Sequence, residues 1–158
     1  MLDVSDLKKF MKSKGVEGEL VFLEPEQAKT SLSAASAVGC QLSQIAKNIV
    51  LKGRKAYFLV VIAGDRRVDL KKLSKFVQDD VRLATPEEVL MTTGYPPGAV
   101  PPFGHRTNLK VYIDQSLKQH EYVYTSGGAD NVLLKLRVDS LVEVSGGELV
   151  GLSGQFIR

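Results

Sequence analysis

The chain has 158 residues, of which 44% are hydrophobic and 25% are charged, and its formal net charge is +3. These values predict one globular domain, spanning residues 1–158, with an apolar core of its own. The mild basic excess permits a nucleic-acid partner without requiring one, because ordinary soluble enzymes reach the same net charge. The single cysteine, Cys40, excludes an internal disulfide and any zinc site built from several cysteines.

The sequence predicts neither a metal site nor a membrane segment. The two histidines, His105 and His120, lack metal-ligand spacing, and Cys40 has no acid–base partner nearby in the sequence. We therefore expect no metal, no cofactor, and an idle thiol in preference to a cysteine nucleophile. No apolar run reaches the ~20 residues of a membrane-spanning helix, and the N-terminus lacks a signal-peptide core. A cytoplasmic protein with no membrane partner is the expectation.

Helices and strands alternate along the first half of the chain. The N-terminal segment repeats apolar residues at helical spacing and ends at Gly15, which predicts a helix. A short strand at 20–23 precedes a helix of small residues that we expect to begin near Pro25 and to end at Gly39. The runs 47–53 and 56–64 flank a short turn and predict a hairpin, whose second strand is apolar on both faces.

The second half continues the alternation. A short helix at 69–77, capped by its first residue, is followed by a strand at 81–84. The next helix begins with a capping box formed by Thr85 and Glu88 and ends at Gly94. Three strands and a last short helix or turn complete the prediction, at 109–114, 122–125, 132–138 and 139–146. Together these elements predict an α+β fold with a mixed, mostly antiparallel sheet wrapped by short helices.

The stretch "TGYPPGAVPPFGH", residues 93–105 and here named the proline loop, holds four of the six prolines. Prolines lower the entropy cost of ordering, so the backbone amides of such a loop can be held in fixed directions. Gly98 and Gly104 allow positive φ and let a ligand approach the main chain. Its apolar residues are able to pack against the core. The loop is interpreted either as a rigid connector or as part of a binding site.

Two further features have both a structural and a functional interpretation. In "TSGGAD", residues 125–130, Ser126 precedes a Gly-Gly pair between two strands, which suits a tight hairpin turn as well as a ligand-binding loop. Lys47 lies at the start of an apolar strand, where its side chain can extend to solvent. Alternatively, its ammonium supplies a positive charge beside a phosphate or a developing oxyanion.

Together, the three features resemble the YbaK and prolyl-tRNA-synthetase-associated editing domains. The matching segments are "IAKNIVL" around Lys47, "GYPPGAVPPFG" with a Gly-x-x-x-Pro core from Gly98 to Pro102, and "SGG" at 126–128. Their order and spacing match, and the likeness extends over nearly the whole chain. The resemblance implies a mixed sheet wrapped by helices and the hydrolysis of amino acids wrongly attached to tRNA.

Free-standing members of this family act in trans, chiefly on errors of prolyl-tRNA synthetase, with alanine or cysteine as typical wrong amino acids. The implied partners are therefore mischarged tRNA and, as a candidate, prolyl-tRNA synthetase. Lys47 matches a lysine near the 3′-terminal adenosine and its phosphate, and Gly98 matches a glycine whose amide contacts the substrate carbonyl. These two are the catalytic candidates. The substrate-binding candidates lie in the two glycine-containing loops: Pro101, Pro102, Gly104, Ser126, Gly127 and Gly128.

One position departs from some relatives. Some cysteine-specific members carry an aspartate a few residues beyond the second loop, at about the position where this chain has Leu133. Asp130 and Asn131 lie closer to the glycines and are not assumed to replace it. The less polar pocket favours a small side chain such as alanine, although selectivity by size is only about 1–3 kcal/mol per methylene.

Two other functions stay open on the sequence alone. A non-catalytic module that binds tRNA or a nucleotide would carry the same lysine and glycine loops, since these serve binding as well as hydrolysis. A domain with an unrelated small-ligand pocket is the third possibility. Release of amino acid from charged tRNA distinguishes the first from an enzyme.

Overall fold

Capping residues set where most helices of this protein begin and end. The computed structural model describes residues 1–156, which form five α-helices: α1 (Val4–Lys14), α2 (Ser31–Val38), α3 (Leu70–Val77), α4 (Pro86–Thr93) and α5 (Val138–Ser145). The predicted capping box of α4 is present, since Thr85 Oγ1 accepts from the Glu88 N–H at 3.2 Å and Glu88 Oε1 accepts from the Thr85 N–H at 2.9 Å. Asp69 caps α3 as predicted. None of the helices in these residues is long and apolar enough to cross a membrane.

The second helix is shorter than the sequence predicts. It begins at Ser31 instead of near Pro25, because Thr30 is its N-cap and accepts a hydrogen bond from an N–H of the first turn at 3.0 Å. The residues before it form a separate turn, in which the Gln27 N–H donates to the Glu24 carbonyl at 2.9 Å. A turn closed by its own hydrogen bond leaves the proline outside the helix.

The strands form one large sheet and one small one. Those within residues 1–156 are β1 (Glu19–Phe22), β2 (Ile45–Lys52), β3 (Tyr57–Ala63), β4 (Arg66–Val68), β5 (Arg82–Leu83), β6 (Lys110–Asp114), β7 (Tyr122–Ser126), β8 (Val132–Arg137), β9 (Glu148–Val150) and β10 (Ser153–Phe156). The large sheet has the order β1-β8-β7-β2-β3-β6-β9, with β5 paired to β2, while β4 pairs with β10. The pairs β2–β7, β3–β6 and β6–β9 are parallel, and the other pairs are antiparallel. The predicted α+β fold, its mixed and mostly antiparallel sheet and the β2–β3 hairpin are confirmed.

The centre of the sheet is buried on both faces. In β3, residues 59–63 have no exposed surface, as expected for a strand that is apolar throughout. One face packs against α1, α5 and the proline loop. The opposite face is covered in two separate clusters, one that contains Leu73 of α3 and one that contains Ala34 of α2.

The alternation of side chains along β2 connects these layers. Ile45 packs into the α2 cluster and Ile49 packs against the α3 cluster, whereas Ala46 belongs to the core on the proline-loop face. Because successive side chains of a strand point to opposite faces, Lys47 lies between the two helix-covered clusters. Asn48 lies on the face of the proline loop. Two adjacent residues of one strand, Lys47 and Asn48, therefore lie on opposite faces of the sheet.

Glu88 anchors α4 to the sheet. Its carboxylate accepts hydrogen bonds from Arg82 at 2.8 Å and 3.1 Å and from the Tyr57 hydroxyl at 2.8 Å. The Arg82 guanidinium, followed by the Thr85 N–H and Tyr57, holds the pKa of Glu88 well below its usual range. Because α4 leads directly into the proline loop, this anchor also fixes the entry to the loop.

We expect Glu88→Gln to lower the free energy of unfolding at pH 7 and to weaken its pH dependence. A carboxylate with a lower pKa in the folded protein stabilises the fold above its unfolded pKa of about 4.3, and this contribution is lost as the pH falls below that value. Glutamine keeps Oε1 as the capping acceptor, but it removes the charge and replaces Oε2, which accepts from Arg82 and Tyr57, with an NH2 donor. Urea unfolding at pH 7 and at acidic pH measures the effect. An equal deficit of the variant at both pH values would contradict it.

Candidate active site

A cavity of about 260 Å³ lies between the start of α2, the first half of β2 and the two glycine-containing loops. Its wall includes three of the residues predicted from the sequence, namely Lys47, Gly98 and Ser126. The first belongs to β2, the second to the proline loop and the third to the end of β7. The fold thus brings together residues that are far apart in the chain.

Lys47 is held by the main chain at the first residue of β4. Its side chain is half-buried, and Nζ donates a hydrogen bond to the Arg66 carbonyl at 2.8 Å. Burial lowers the pKa of Lys47, the nearby Arg67 lowers it further, and Asp65 acts in the opposite direction. An ammonium has three donors, of which the Arg66 carbonyl takes one. The charge is therefore fixed beside the cavity and keeps donors for a ligand.

Gly98 presents its main chain to the cavity. Its φ is +84°, in the left-handed region that favours glycine, and apart from its chain neighbours no described atom lies within 4 Å of the place that a Cβ would take. The neighbouring Ala99 N–H donates to the Pro96 carbonyl at 3.1 Å, whereas the Gly98 N–H has no acceptor within residues 1–156. An N–H without a protein acceptor, at an exposed residue of the cavity wall, is available to a ligand.

Three side chains bind three carbonyls of the proline loop. The Ser126 hydroxyl donates to the Gly98 carbonyl at 3.3 Å, and Asn48 Nδ2 donates to the Val100 carbonyl at 2.9 Å. His105 Nε2 lies 2.6 Å from the Pro101 carbonyl, which can only accept, so the ring donates. Burial lowers the pKa of His105, so the ring is neutral at pH 7. These contacts come from three different parts of the chain and fix the loop from several sides.

Apolar packing against the core also fixes the proline loop. Tyr95, Val100 and Phe103 are at most 3% exposed, which confirms that the apolar residues of the loop pack into the core. The Phe103 ring stacks on Phe10 of α1 with centroids 5.5 Å apart. The stiffness predicted from the prolines is thus reinforced by both packing and hydrogen bonds.

Asn48 is a site residue that the sequence reasoning missed. Besides the Val100 carbonyl, its Nδ2 binds Thr125 Oγ1 at 2.6 Å, and Thr125 Oγ1 donates to the Ala46 carbonyl at 2.9 Å. The side chain thereby links the proline loop to β7, where β7 and β2 pair for only two residues. The available signal was an amide in a strand whose other residues are apolar except for two lysines, since buried amides are almost always hydrogen-bonded.

The other predicted substrate-binding residues do not line the cavity. They are Pro101, Pro102, Gly104, Gly127 and Gly128. Pro101 and Pro102 are buried. A Cβ on Gly104 would come within 3.0 Å of the Phe10 ring, and one on Gly128 within 3.2 Å of the Val4 backbone. These residues pack within the two loops or against neighbouring elements and so support the loops, and their contact with substrate stays a prediction.

The remaining polar candidates lie outside the cavity. Cys40 Sγ donates to the Gln41 carbonyl at 3.3 Å, and burial raises the pKa of the Cys40 thiol, which disfavours the nucleophilic thiolate. His120 Nε2 lies 2.9 Å from Ser43 Oγ. Nowhere in residues 1–156 do three histidine, cysteine or acidic side chains gather as metal ligands. The polar groups that the wall of the cavity offers to a ligand therefore include the Lys47 side chain, the Gly98 main chain and the Ser126 hydroxyl.

Part of the cavity wall is apolar. Ala34 of α2, Ile45 of β2 and Leu133 of β8 line it, and all three belong to the cluster under α2 or pack against it. Leu133 occupies the position at which the sequence suggested a less polar pocket. Such a wall accommodates a small side chain.

Known proteins resemble this chain over most of its length. In a comparison with curated proteins, the chain is 35% identical over 130 residues to "Uncharacterized protein YwhH" of Bacillus subtilis, with 82% of each chain covered. It is 26% identical over 137 residues to "Putative Cys-tRNA(Pro)/Cys-tRNA(Cys) deacylase EbsC" of Enterococcus faecalis, with 85% of this chain and 84% of that one covered. A match of 34% over 91 residues to a proline–tRNA ligase of Fervidobacterium nodosum covers 57% of this chain and only 16% of the ligase.

The fold and the sequence agree in a comparison with solved structures. The "Crystal structure of a putative trans-editing enzyme for prolyl tRNA synthetase" superposes with a TM-score of 0.92 at 32% identity and covers 96% of both chains. Residues 25–144 match the family model of the aminoacyl-tRNA editing domain, and this range contains every predicted site residue. The chain therefore belongs to the aminoacyl-tRNA editing domain family.

Proposed function

We propose that this protein hydrolyses the ester bond of mischarged aminoacyl-tRNA and acts in trans on errors made by prolyl-tRNA synthetase. The observation that carries the proposal is the convergence of Lys47, the Gly98 amide and Ser126 on one cavity. Membership of the editing family supports it, as does similarity over most of the chain to the proteins named "Putative Cys-tRNA(Pro)/Cys-tRNA(Cys) deacylase EbsC" and "putative trans-editing enzyme for prolyl tRNA synthetase". The proposed substrate implies the cytoplasm as its place of action.

The geometry suits hydrolysis by water. Attack of water on the ester carbonyl moves negative charge to the carbonyl oxygen, which an amide fixed in advance stabilises without reorganisation. The Gly98 N–H is the donor in this role, and the Lys47 ammonium pairs with the terminal ribose or phosphate. The bond from the carbonyl carbon to the ribose oxygen then breaks, and the ribose oxygen takes up the proton that the attacking water releases. An aminoacyl ester is already activated, so no triad is required.

The apolar part of the cavity wall favours a small, apolar amino acid. Ala34, Ile45 and Leu133 leave an apolar wall, which suits alanine better than a polar or long side chain. A release assay under single-turnover conditions with alanyl-, cysteinyl-, seryl- and prolyl-tRNA tests the function and its specificity together. Release of none of the four amino acids would leave a non-catalytic tRNA-binding module as the function.

Replacing the lysine tests its role in catalysis. Lys47→Ala should lower single-turnover deacylation about tenfold or more, because a fixed ammonium beside the substrate is removed. Lys47→Arg should rescue poorly, since a planar guanidinium differs from a point charge. The exposed Lys55 in the β2–β3 turn provides the control Lys55→Ala. Near-normal activity of a folded Lys47→Ala protein would remove the lysine from the mechanism.

Replacing Gly98 tests the amide donor. Gly98→Ala adds a methyl group at a φ of +84°, which strains or shifts the loop, and we expect deacylation to fall about a hundredfold while tRNA binding largely persists. Gly146→Ala is the matched control, because Gly146 also has positive φ and open space at its Cβ position. Both variants should be destabilised by a similar amount, roughly 1–2 kcal/mol. A destabilised but fully active Gly98→Ala protein would exclude the amide as the catalytic donor.

Lysines of α1 are candidates for contact with tRNA. The loop that lines the cavity packs against the start of this helix, where a Cβ on Gly128 would lie 3.2 Å from Val4, and Lys8 and Lys12 are exposed on the same helix. Neutralising phosphates releases counterions, so tRNA binding should weaken as salt rises.

The double variant Lys8→Gln/Lys12→Gln should reduce the salt slope of tRNA affinity by about one for each phosphate that is no longer neutralised. Lys71→Gln/Lys75→Gln, with the same spacing on α3, is the matched control. Filter binding at several salt concentrations measures both slopes. Equal slopes in the two double variants would mean that the α1 lysines are merely solvated.

A further inference from the structure

Asp130 lies in the turn between β7 and β8 and lines the candidate active-site cavity. Within residues 1–156 it is the only acidic residue of that wall, where Lys29 and Lys47 supply the positive charges. The carboxylate is exposed to solvent. The cavity thus has an anionic group on the β7–β8 side and a fixed ammonium on the β2 side.

The turn is built without the Asp130 side chain. The Gly127 N–H donates to the Val132 carbonyl at 2.8 Å, and the Val132 N–H donates to the Ala129 carbonyl at 3.2 Å. On the other flank, the Leu23 N–H donates to the Asn131 carbonyl at 2.8 Å, and Asn131 Nδ2 donates to the Leu23 carbonyl at 3.3 Å. Both ends of the turn are therefore tied down by other groups.

The Asp130 carboxylate has neither a hydrogen bond nor an ion pair within residues 1–156. Aspartates in turns usually accept a bond from a nearby backbone N–H, and this is the common reason for their presence there. In the described part of the chain, Asp130 makes no such bond. Its acceptor capacity remains available at the edge of the cavity.

The proposed substrate carries a group that matches this carboxylate. In an aminoacyl ester, the α-ammonium is attached to the carbon next to the ester carbonyl. A cavity that holds the carbonyl oxygen at the Gly98 amide must therefore also hold the ammonium. The ammonium needs hydrogen-bond acceptors, and the two lysines of the wall repel it.

We propose that Asp130 binds the α-ammonium of the aminoacyl group, an inference that rests on the proposed deacylase function. The contact orients the ester between the Asp130 carboxylate and the Lys47 ammonium. It also makes a free α-amine a condition for efficient hydrolysis. Esters with an acylated α-nitrogen, such as peptidyl-tRNA, lack the positive charge and are poor substrates.

The test compares two esters and two variants. Single-turnover hydrolysis is measured with alanyl-tRNA, or with whichever of the four charged tRNAs the wild-type protein cleaves fastest, and with its N-acetylated form. Asp130→Asn keeps the size and turn preference of the side chain and removes its charge. Asp139→Asn, at an exposed aspartate in the first turn of α5, is the control for removal of one negative charge.

We expect the wild-type protein to cleave the free-amine ester at least about tenfold faster than the N-acetylated one, the usual worth of a charge-assisted hydrogen bond. Asp130→Asn should lower the rate on the free-amine ester by a similar factor and bring the ratio of the two rates close to one. Asp139→Asn should keep the wild-type ratio. Melting temperatures of both variants verify that they are folded.

Two results would overturn the inference while leaving the deacylase function intact. One is an Asp130→Asn protein with an unchanged rate on the free-amine ester. The other is an equal decrease on both esters, which would indicate a structural role for the side chain. A wild-type protein that releases no amino acid from any charged tRNA would instead overturn the proposed function itself.

Discussion

Asn48 Nδ2 donates one hydrogen bond to the Val100 carbonyl and another to Thr125 Oγ1, and the geometry of the candidate site depends on this bridge. Each such bond contributes about 1 kcal/mol, and leaving a buried acceptor unpaired costs about 1–3 kcal/mol. The Oδ1 atom of the same amide is buried without a partner in the described chain, so the amide is oriented by its donors alone. The Val100 carbonyl can only accept, which decides which way the amide faces.

Asn48 can bridge to the proline loop while Lys47 faces the other way, because successive side chains of a strand point to opposite faces of the sheet. Lys47 points into the gap between the α2 and α3 clusters, where the Arg66 carbonyl holds its ammonium. Asn48, the next residue, points to the other face and secures the proline loop that carries Gly98. The spacing between the charge and the loop amide is thereby set by the geometry of a buried strand, which is far stiffer than a loop.

Much of this structure could be predicted from local sequence signals. The rest depends on contacts between residues that are distant in the chain. The ends of α3 and α4 could be predicted because caps such as Thr85 act within one turn. The strands β4, β9 and β10 could not, because they are three or four residues long and are defined by distant partners. Lys47, Gly98 and Ser126 were found from short motifs, but the role of Asn48 depends on partners 52 and 77 residues away along the chain. That Gly104, Gly127 and Gly128 support the loops could likewise be seen only from the positions of α1 and β8.

The proposed donor, the Gly98 N–H, belongs to the main chain, and this location has a consequence for how such a site can diversify. A side-chain catalyst disappears with one codon change, whereas a backbone N–H survives every replacement except proline. The residues that shape the apolar wall, Ala34, Ile45 and Leu133, belong to other elements than the loop that carries the donor. Substitutions in the wall can therefore change which amino acid is accepted without altering the N–H that is proposed to polarise the ester. The residues proposed to select the amino acid and the group proposed to activate the ester thus lie on separate elements of the fold.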